Sequence, residues 1–306
     1  MAGIQAMRRA LGGVFAPIVT PFRPDSGEVD LNWVERHLAF LRARGCDGVV
    51  PAGTTGEGPS LGFDERCRLV DCVVENAAGM AVIAGVGTPS LTDTAALIRY
   101  AFQAGVDGVL VLPPYYYRSV PAAGLIAYYR RLCDLALEPG QQIFLYHIPQ
   151  VSGVPVTHEL LDGLMETHAE CVGGLKDSSR DPEALRAFVS RYPSLQVFCG
   201  SDSLADLAFS IGAAGTISVM ANLIPDHIQA LRRVAGTEAA TPLQDHLSQA
   251  RQTLAAYPII AAIKYALHQL AGFPWTATRP PNVELSPEQQ AALTQNLARL
   301  GLVEVL

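Results

Sequence analysis

Eight short apolar runs, each followed by a longer stretch of helical period, fill roughly the first 220 residues of this chain. The period-2 and period-3.6 patterns predict strands over 14–20, 48–52, 81–86, 108–112, 142–146, 171–176, 196–199 and 215–218. Helices are predicted between them, over 31–43, 64–77, 91–104, 122–135, 158–167, 182–191 and 204–211. Several apolar runs lack strict alternation, as in parallel strands buried on both faces. Three helix-to-strand joints look alike: Arg44-Gly45-Cys46-Asp47-Gly48, Ala104-Gly105-Val106-Asp107-Gly108 and Ile211-Gly212-Ala213-Ala214-Gly215. Each puts glycine where a helix ends and a strand begins. The expectation is an α/β fold, a closed (β/α)₈ barrel. A doubly wound open sheet is the runner-up, but no Gly-x-Gly-x-x-Gly follows the first strand. From residue 224 onward the chain reads as helical, over 225–234, 242–256, 259–270 and 287–300. The expected division is 1–223 for the barrel with a short N-terminal extension, and 224–306 for a helical region packed on it.

Composition narrows the function classes. The chain is 49% hydrophobic and 17% charged, yet no uncharged apolar stretch is long enough to span a bilayer, so no membrane partner is expected. Some of the apolar surplus is assigned to subunit interfaces. A net charge of −7 argues against nucleic acid as a partner, and no basic run exceeds Arg8-Arg9 or Arg232-Arg233. Met1 to Leu11 lacks the continuous apolar core of a signal peptide, and the six cysteines form no CxxC pair. Both features predict a cytoplasmic protein with reduced, buried thiols.

The chemistry is read at the strand ends, where a barrel gathers its functional groups. Only two lysines occur against twenty arginines, and one, Lys176, closes the apolar run Cys-Val-Gly-Gly-Leu-Lys. Lysine can lose its proton and attack a carbonyl where arginine cannot, and burial favours the neutral amine. A strand-end lysine reaching to solvent is the competing reading. The second strand runs into Gly53-Thr54-Thr55-Gly56-Glu57-Gly58, whose hydroxyls and N–H groups can hold a carboxylate. The fourth is followed by Pro113-Pro114-Tyr115-Tyr116-Tyr117, the fifth ends at Tyr146-His147-Ile148-Pro149, and the seventh at Gly200-Ser201-Asp202. Lysine as nucleophile, Tyr146 as proton shuttle and the threonines as carboxylate holders suit a 2-oxo acid. The seven histidines include no HxxxH or HxH spacing, so no metal site is expected, and the acidic group after strand seven disfavours a phosphate cup. Lys264, on an apolar helical stretch, is expected to be structural.

Three of these motifs in order, Gly53-Thr54-Thr55-Gly56-Glu57, Tyr146-His147-Ile148-Pro149 and Gly174-Leu175-Lys176-Asp177-Ser178-Ser179, resemble those of the dihydrodipicolinate synthase/N-acetylneuraminate lyase family, as does the opening Ala16-Pro17-Ile18-Val19-Thr20-Pro21-Phe22. The resemblance covers roughly Gly13 to Leu270. It implies a (β/α)₈ barrel, a class I pyruvate-dependent aldolase or lyase, and a homotetramer. By position, Lys176 would form the Schiff base and Tyr146 would be the acid/base group. Thr54 and Thr55 would hold the substrate carboxylate and relay protons, and Tyr116 would complete the relay across a subunit interface. Gly200 and Ile217 match substrate-contacting positions, His147 stands where the family usually has Asn and is read either as a substrate contact or as a helix-packed neighbour of Tyr146, and no cofactor is implied. The chain departs from the synthase branch at Val151, where that branch has an arginine for the second substrate's carboxylate; an aliphatic residue cannot supply that contact. Arg118 and Arg180, in loops near the site, are read either as candidates for a distal carboxylate or as surface arginines. The resulting expectation is cleavage or formation of a C–C bond between pyruvate and an aldehyde, with a 2-keto-3-deoxy sugar acid or a hydroxy-oxo diacid as the larger 2-oxo acid. The alternatives are 4-hydroxy-tetrahydrodipicolinate synthase, acting on pyruvate and aspartate semialdehyde, and a non-catalytic barrel that only binds a 2-oxo acid.

Overall fold

Gly45, Gly105 and Gly212, the glycines of the three matching joints, all take the left-handed conformation, with φ of 77°, 103° and 82°. A side chain would be strained there, so each glycine stops its helix and turns the chain into the next strand. Two of the joints share a second device. The Asp47 and Asp107 carboxylates accept hydrogen bonds from the backbone N–H groups of Val14 and Val82, at 2.7 and 2.8 Å, and so pin neighbouring strand starts together.

The computed structural model describes residues 11–302; the readings placed on Arg8-Arg9, on a leader and on the N-terminal extension fall largely on residues outside those described. Eight strands form a closed parallel barrel in chain order, with the first hydrogen-bonded to the last. Its first half runs β1 (Gly13–Ala16), α1 (Leu31–Ala43), β2 (Gly48–Val49), α2 (Phe63–Asn76), β3 (Ala81–Gly85), α3 (Leu91–Ala104), β4 (Gly108–Val111) and α4 (Ala122–Ala136). The second half opens with β5 (Ile143–His147), α5 (Pro149–Ser152), α6 (His158–His168), β6 (Val172–Asp177) and α7 (Pro182–Arg191). It continues with β7 (Gln196–Cys199), α8 (Ala205–Ser210), β8 (Gly215–Ile217) and α9 (Pro225–Val234). Three further helices follow: α10 (Ala240–Ala255), α11 (Ile259–Ala271) and α12 (Pro287–Arg299).

β3, β4 and β8 stop one residue short of the apolar pattern, and two strands fall further short. β1 stops before Pro17 and β2 before Pro51, because proline brings no N–H to the ladder. β5 and β6 run one residue further than predicted, to His147 and Asp177. The short α5 is an element the periodicity does not reveal, although Pro149 at its first position and Gly153 at its left-handed end (φ 69°) are start and stop signals. α9 packs on β1 and α8, so the helix that follows the eighth strand starts just beyond residue 223.

The alternation of side chains sorts the barrel into two cores. Phe15, Ile83, Leu110, Phe144, Phe198 and Ile217 fill the lumen, while the other faces of the strands meet the helices. Burying each such side chain stabilises the fold by about 1.5–3 kcal/mol. The rings fit because glycine lies opposite them: a Cβ at Gly48 would come within 2.2 Å of the Phe15 ring.

Candidate active site

β5 and β6 are neighbours in register, with Tyr146 opposite Lys176 and His147 opposite Asp177. Phe144 and Tyr146 point into the lumen, so by period 2 Lys176 on the next strand points inward beside them, and His147 and Asp177 point outward to the helices. The Lys176 ammonium donates to the Tyr146 hydroxyl at 3.2 Å and lies 4.3 Å from the centre of the tyrosine ring. Both side chains are buried, and among the described residues no carboxylate lies within ion-pair distance of Lys176. The Tyr146 hydroxyl also meets the Thr54 hydroxyl at 3.4 Å. Burial alone would raise the Tyr146 phenol, but the Lys176 charge and hydrogen bonds with Thr54, Lys176 and Ser178 outweigh it and hold the phenol below its usual range.

Lys176 and Tyr146 form the floor of a cavity of about 360 Å³. Thr54, Thr55, Gly200, Ile217 and Arg180 line the same cavity, so seven of the ten site candidates named from the sequence come together. Gly200 is there because nothing larger fits: a Cβ would lie 1.9 Å from the Ser178 hydroxyl oxygen and 3.1 Å from the carbonyl oxygen of Asp177.

The loop bearing Thr54 and Thr55 is fastened at two points. The Thr20 hydroxyl donates to the Gly56 carbonyl at 2.6 Å. Glu57, in a left-handed conformation (φ 53°) that is strained for a non-glycine residue, buries its carboxylate completely. One oxygen accepts from Lys264 of α11 at 2.5 Å, and the other accepts from the Arg279 backbone N–H and the Asn282 amide at 2.9 and 3.0 Å. Lys264 also donates to the Ala277 carbonyl at 2.7 Å, which bears out its structural reading. The helical region thus holds a loop of the barrel in place.

The upper wall of the cavity comes from that same region. Ser248, Arg251 and Gln252 of α10 and Ile260 and Ile263 of α11 face Arg180, Val151 and Asp202 from the barrel. Burial raises the Asp202 carboxyl, although Ser218, the Arg251 charge and the Met220 N–H oppose the shift. The α10 side chains escape sequence reasoning. Their spacing along one helical face is visible, but nothing in it says that this face roofs a cavity whose lysine lies more than 70 positions earlier.

Three residues named from the sequence lie outside the cavity, which corrects the substrate-contact reading of His147 and the placing of Arg118 near the site. His147 does not line the cavity: its Nδ1 accepts the Val156 N–H at 2.9 Å, and its ring packs 5.5 Å from that of Phe188. Burial lowers its pKa, with the Asp177 carboxylate opposing, and the residue acts as packing on the outer face of β5. Tyr116 is 75% exposed, edge-on to Tyr117 at 5.3 Å, and stands outside the cavity of its own chain. Arg118 likewise lies outside, folded over Gly153. The described residues contain no group of three His, Cys, Asp or Glu arranged to hold a metal, and no helix among them is long and apolar enough to cross a membrane.

The sequence profile of the dihydrodipicolinate synthetase family matches residues 10–300. The chain belongs to that family. A DapA-like lyase of Chloroflexus aurantiacus is 40% identical over 291 residues, covering 94% of this chain and 96% of the relative. A 4-hydroxy-tetrahydrodipicolinate synthase of Acidothermus cellulolyticus is 34% identical, covering 96% and 94%. The crystal structure of KD(P)GA from T. tenax superposes with a TM-score of 0.86 at 28% identity, covering 94% and 99%. As a member of the dihydrodipicolinate synthetase family, the chain is a lyase of the class I aldolase type.

Proposed function

We propose that the chain cleaves or forms a C–C bond between pyruvate and an aldehyde through a Schiff base on Lys176, the larger 2-oxo acid being a 2-keto-3-deoxy sugar acid or a hydroxy-oxo diacid. The observation that carries this reading is the buried Lys176–Tyr146 hydrogen bond of 3.2 Å at the floor of the cavity, with no carboxylate of the described residues within ion-pair distance of the lysine. A lysine kept there for structure alone would need such a partner.

In the cleavage direction the neutral Lys176 amine adds to the C2 carbonyl, and loss of water leaves an iminium. Removal of the C4 hydroxyl proton lets the C3–C4 bonding pair flow into the iminium, which releases an aldehyde and leaves an enamine. Protonation at C3 and hydrolysis return pyruvate and the free amine. Tyr146 carries the protons, and its acidified phenol suits a group that must both accept and donate. Thr54 and Thr55 hold the substrate carboxylate, and Thr54 hands protons to Tyr146 along the 3.4 Å contact. Gly200 and Ile217 give the bound 2-oxo acid room and an apolar wall. No metal or organic cofactor enters. In a homotetramer, the exposed Tyr116 ring of one subunit is free to reach the relay of a neighbour.

The synthase reading has Thr54-Thr55 and Lys176-Asp177-Ser178-Ser179 in its favour. Against it, Val151 sits at the rim with an apolar side chain where a second carboxylate would need a cation. Borohydride trapping with pyruvate should add one reduced pyruvyl mass, located on Lys176 by peptide mapping, and Lys176→Arg should abolish it. Tyr146→Phe should still be trapped but turn over about 10²–10⁴-fold more slowly. A folded wild-type protein that is never labelled would sink the Schiff-base reading.

A further inference from the structure

The distal end of the cavity carries more positive charge than its neighbours consume. Arg180, from the β6–α7 loop, and Arg251, from α10, both line it. Arg180 is held in a left-handed backbone conformation (φ 67°), uncommon for a non-glycine residue, and its guanidinium has no hydrogen-bond or ion-pair partner among the described residues. Arg251 is largely buried, with 21% of its side chain exposed. Its one charged contact is Nε to Asp202 at 3.6 Å, too long for a hydrogen bond, so its remaining N–H donors are unpaired among the described residues. Asp202 is already engaged, with one oxygen accepting the Met220 N–H at 3.3 Å. The one carboxylate beside Arg251 is thus already partly occupied, and burial first, then the charge of Arg180, weighs against the Arg251 charge. Like charges converging on a cavity are relieved by an anion between them, and guanidinium forks fit the oxygens of carboxylate and phosphate.

Resting on the 2-oxo acid reading above, we infer that Arg180 and Arg251 form a second anion subsite, so that the substrate is a 2-oxo acid bearing a carboxylate or a phosphate at its far end. The subsite stands in for the cation missing at Val151, but it is contributed from other parts of the chain. Ser203, Ser248 and Gln252 line the same cavity and offer hydrogen bonds to hydroxyl groups along the substrate.

The test is competition against borohydride trapping of pyruvate, with probes paired for length. 2-Oxoadipate is compared with 2-oxohexanoate, and the 6-phosphate of a six-carbon 2-keto-3-deoxy aldonate with its unphosphorylated form. In the wild type at least one anion-ended probe should halve trapping at a concentration about tenfold lower than its neutral counterpart, as expected for an Arg-bound charge. The pair that responds identifies carboxylate or phosphate. In Arg180→Gln and in Arg251→Gln that ratio should fall toward one. No preference in the wild type, or a preference that survives in both folded variants, overturns the subsite. Calorimetric binding of the same pairs reads the preference independently of the covalent step. A protein that is never labelled but still prefers the anionic probe therefore condemns the Schiff base and leaves the subsite standing.

Discussion

The two lysines of this chain sit in buried sites that could hardly differ more in how they are satisfied. Lys264 donates at 2.5 Å to a fully buried Glu57 and to a backbone carbonyl, in a setting with no space left over. Lys176 has one hydrogen bond, to a tyrosine hydroxyl, and opens onto a cavity. The first arrangement gives the ammonium a carboxylate, a carbonyl and the Phe22 ring at 4.7 Å; the second leaves an amine with something still to bind. Burial alone therefore says little about a lysine. What distinguishes structure from chemistry is the bonding capacity left over after packing.

Methionine substitutions should pull the two apart most strongly. Lys264→Met strands the Glu57 carboxylate in the interior and should cost about 3–5 kcal/mol in denaturant unfolding, with partial recovery in Glu57→Gln/Lys264→Met. Lys176→Met, measured at the same protein concentration, should leave stability unchanged or raise it, since functional sites commonly sacrifice stability. Equal losses in the two variants would erase the contrast.

A smaller effect is expected one residue from Tyr146. His147→Ala removes the acceptor for the Val156 N–H and should cost about 1–3 kcal/mol. Pyruvate trapping on Lys176 should persist, because the ring faces away from the cavity. Loss of trapping in a well-folded variant would restore His147 to the substrate site.

The finest test uses pH. The Tyr146 phenol ionises below its ordinary 10.0, because the Lys176 charge and its hydrogen bonds outweigh burial. Removing that charge in Lys176→Met leaves burial in command, so the phenol should ionise later, shifting upward in pH. Thr54→Val should move it the same way by less. Phenolate absorbance, with Tyr146→Phe as the blank, reads both, and an unmoved titration in Lys176→Met would separate Tyr146 from the lysine.

The barrel and the chemical floor of the site were legible in the sequence because both rest on local regularities. Glycine at helix ends, apolar runs and period-2 alternation fix which residues reach a strand end and which face they take. The same alternation already separates inward Tyr146 from outward His147; the motif position left His147 open between substrate contact and packing, and the outward face decides for packing. Proline placement likewise explains the early ends of β1 and β2. Arg251 could not be read in this way. Its role depends on how α10 lies over the barrel, which is set by long-range packing rather than by any spacing around it. Tyr116 was open for a related reason: an exposed ring in one chain carries no sign of what meets it in another.

The roof of the cavity has an implication for descent. Lys176, Tyr146 and Thr54 belong to the barrel, whereas Ser248, Arg251 and Gln252 belong to α10, so part of the proposed choice of substrate is encoded apart from the residues proposed for the bond-making step. Drift in the tail can re-tune diet without touching the reaction. Grafting residues 240–302 between relatives should accordingly transplant preference, provided the incoming tail brings a lysine for Glu57.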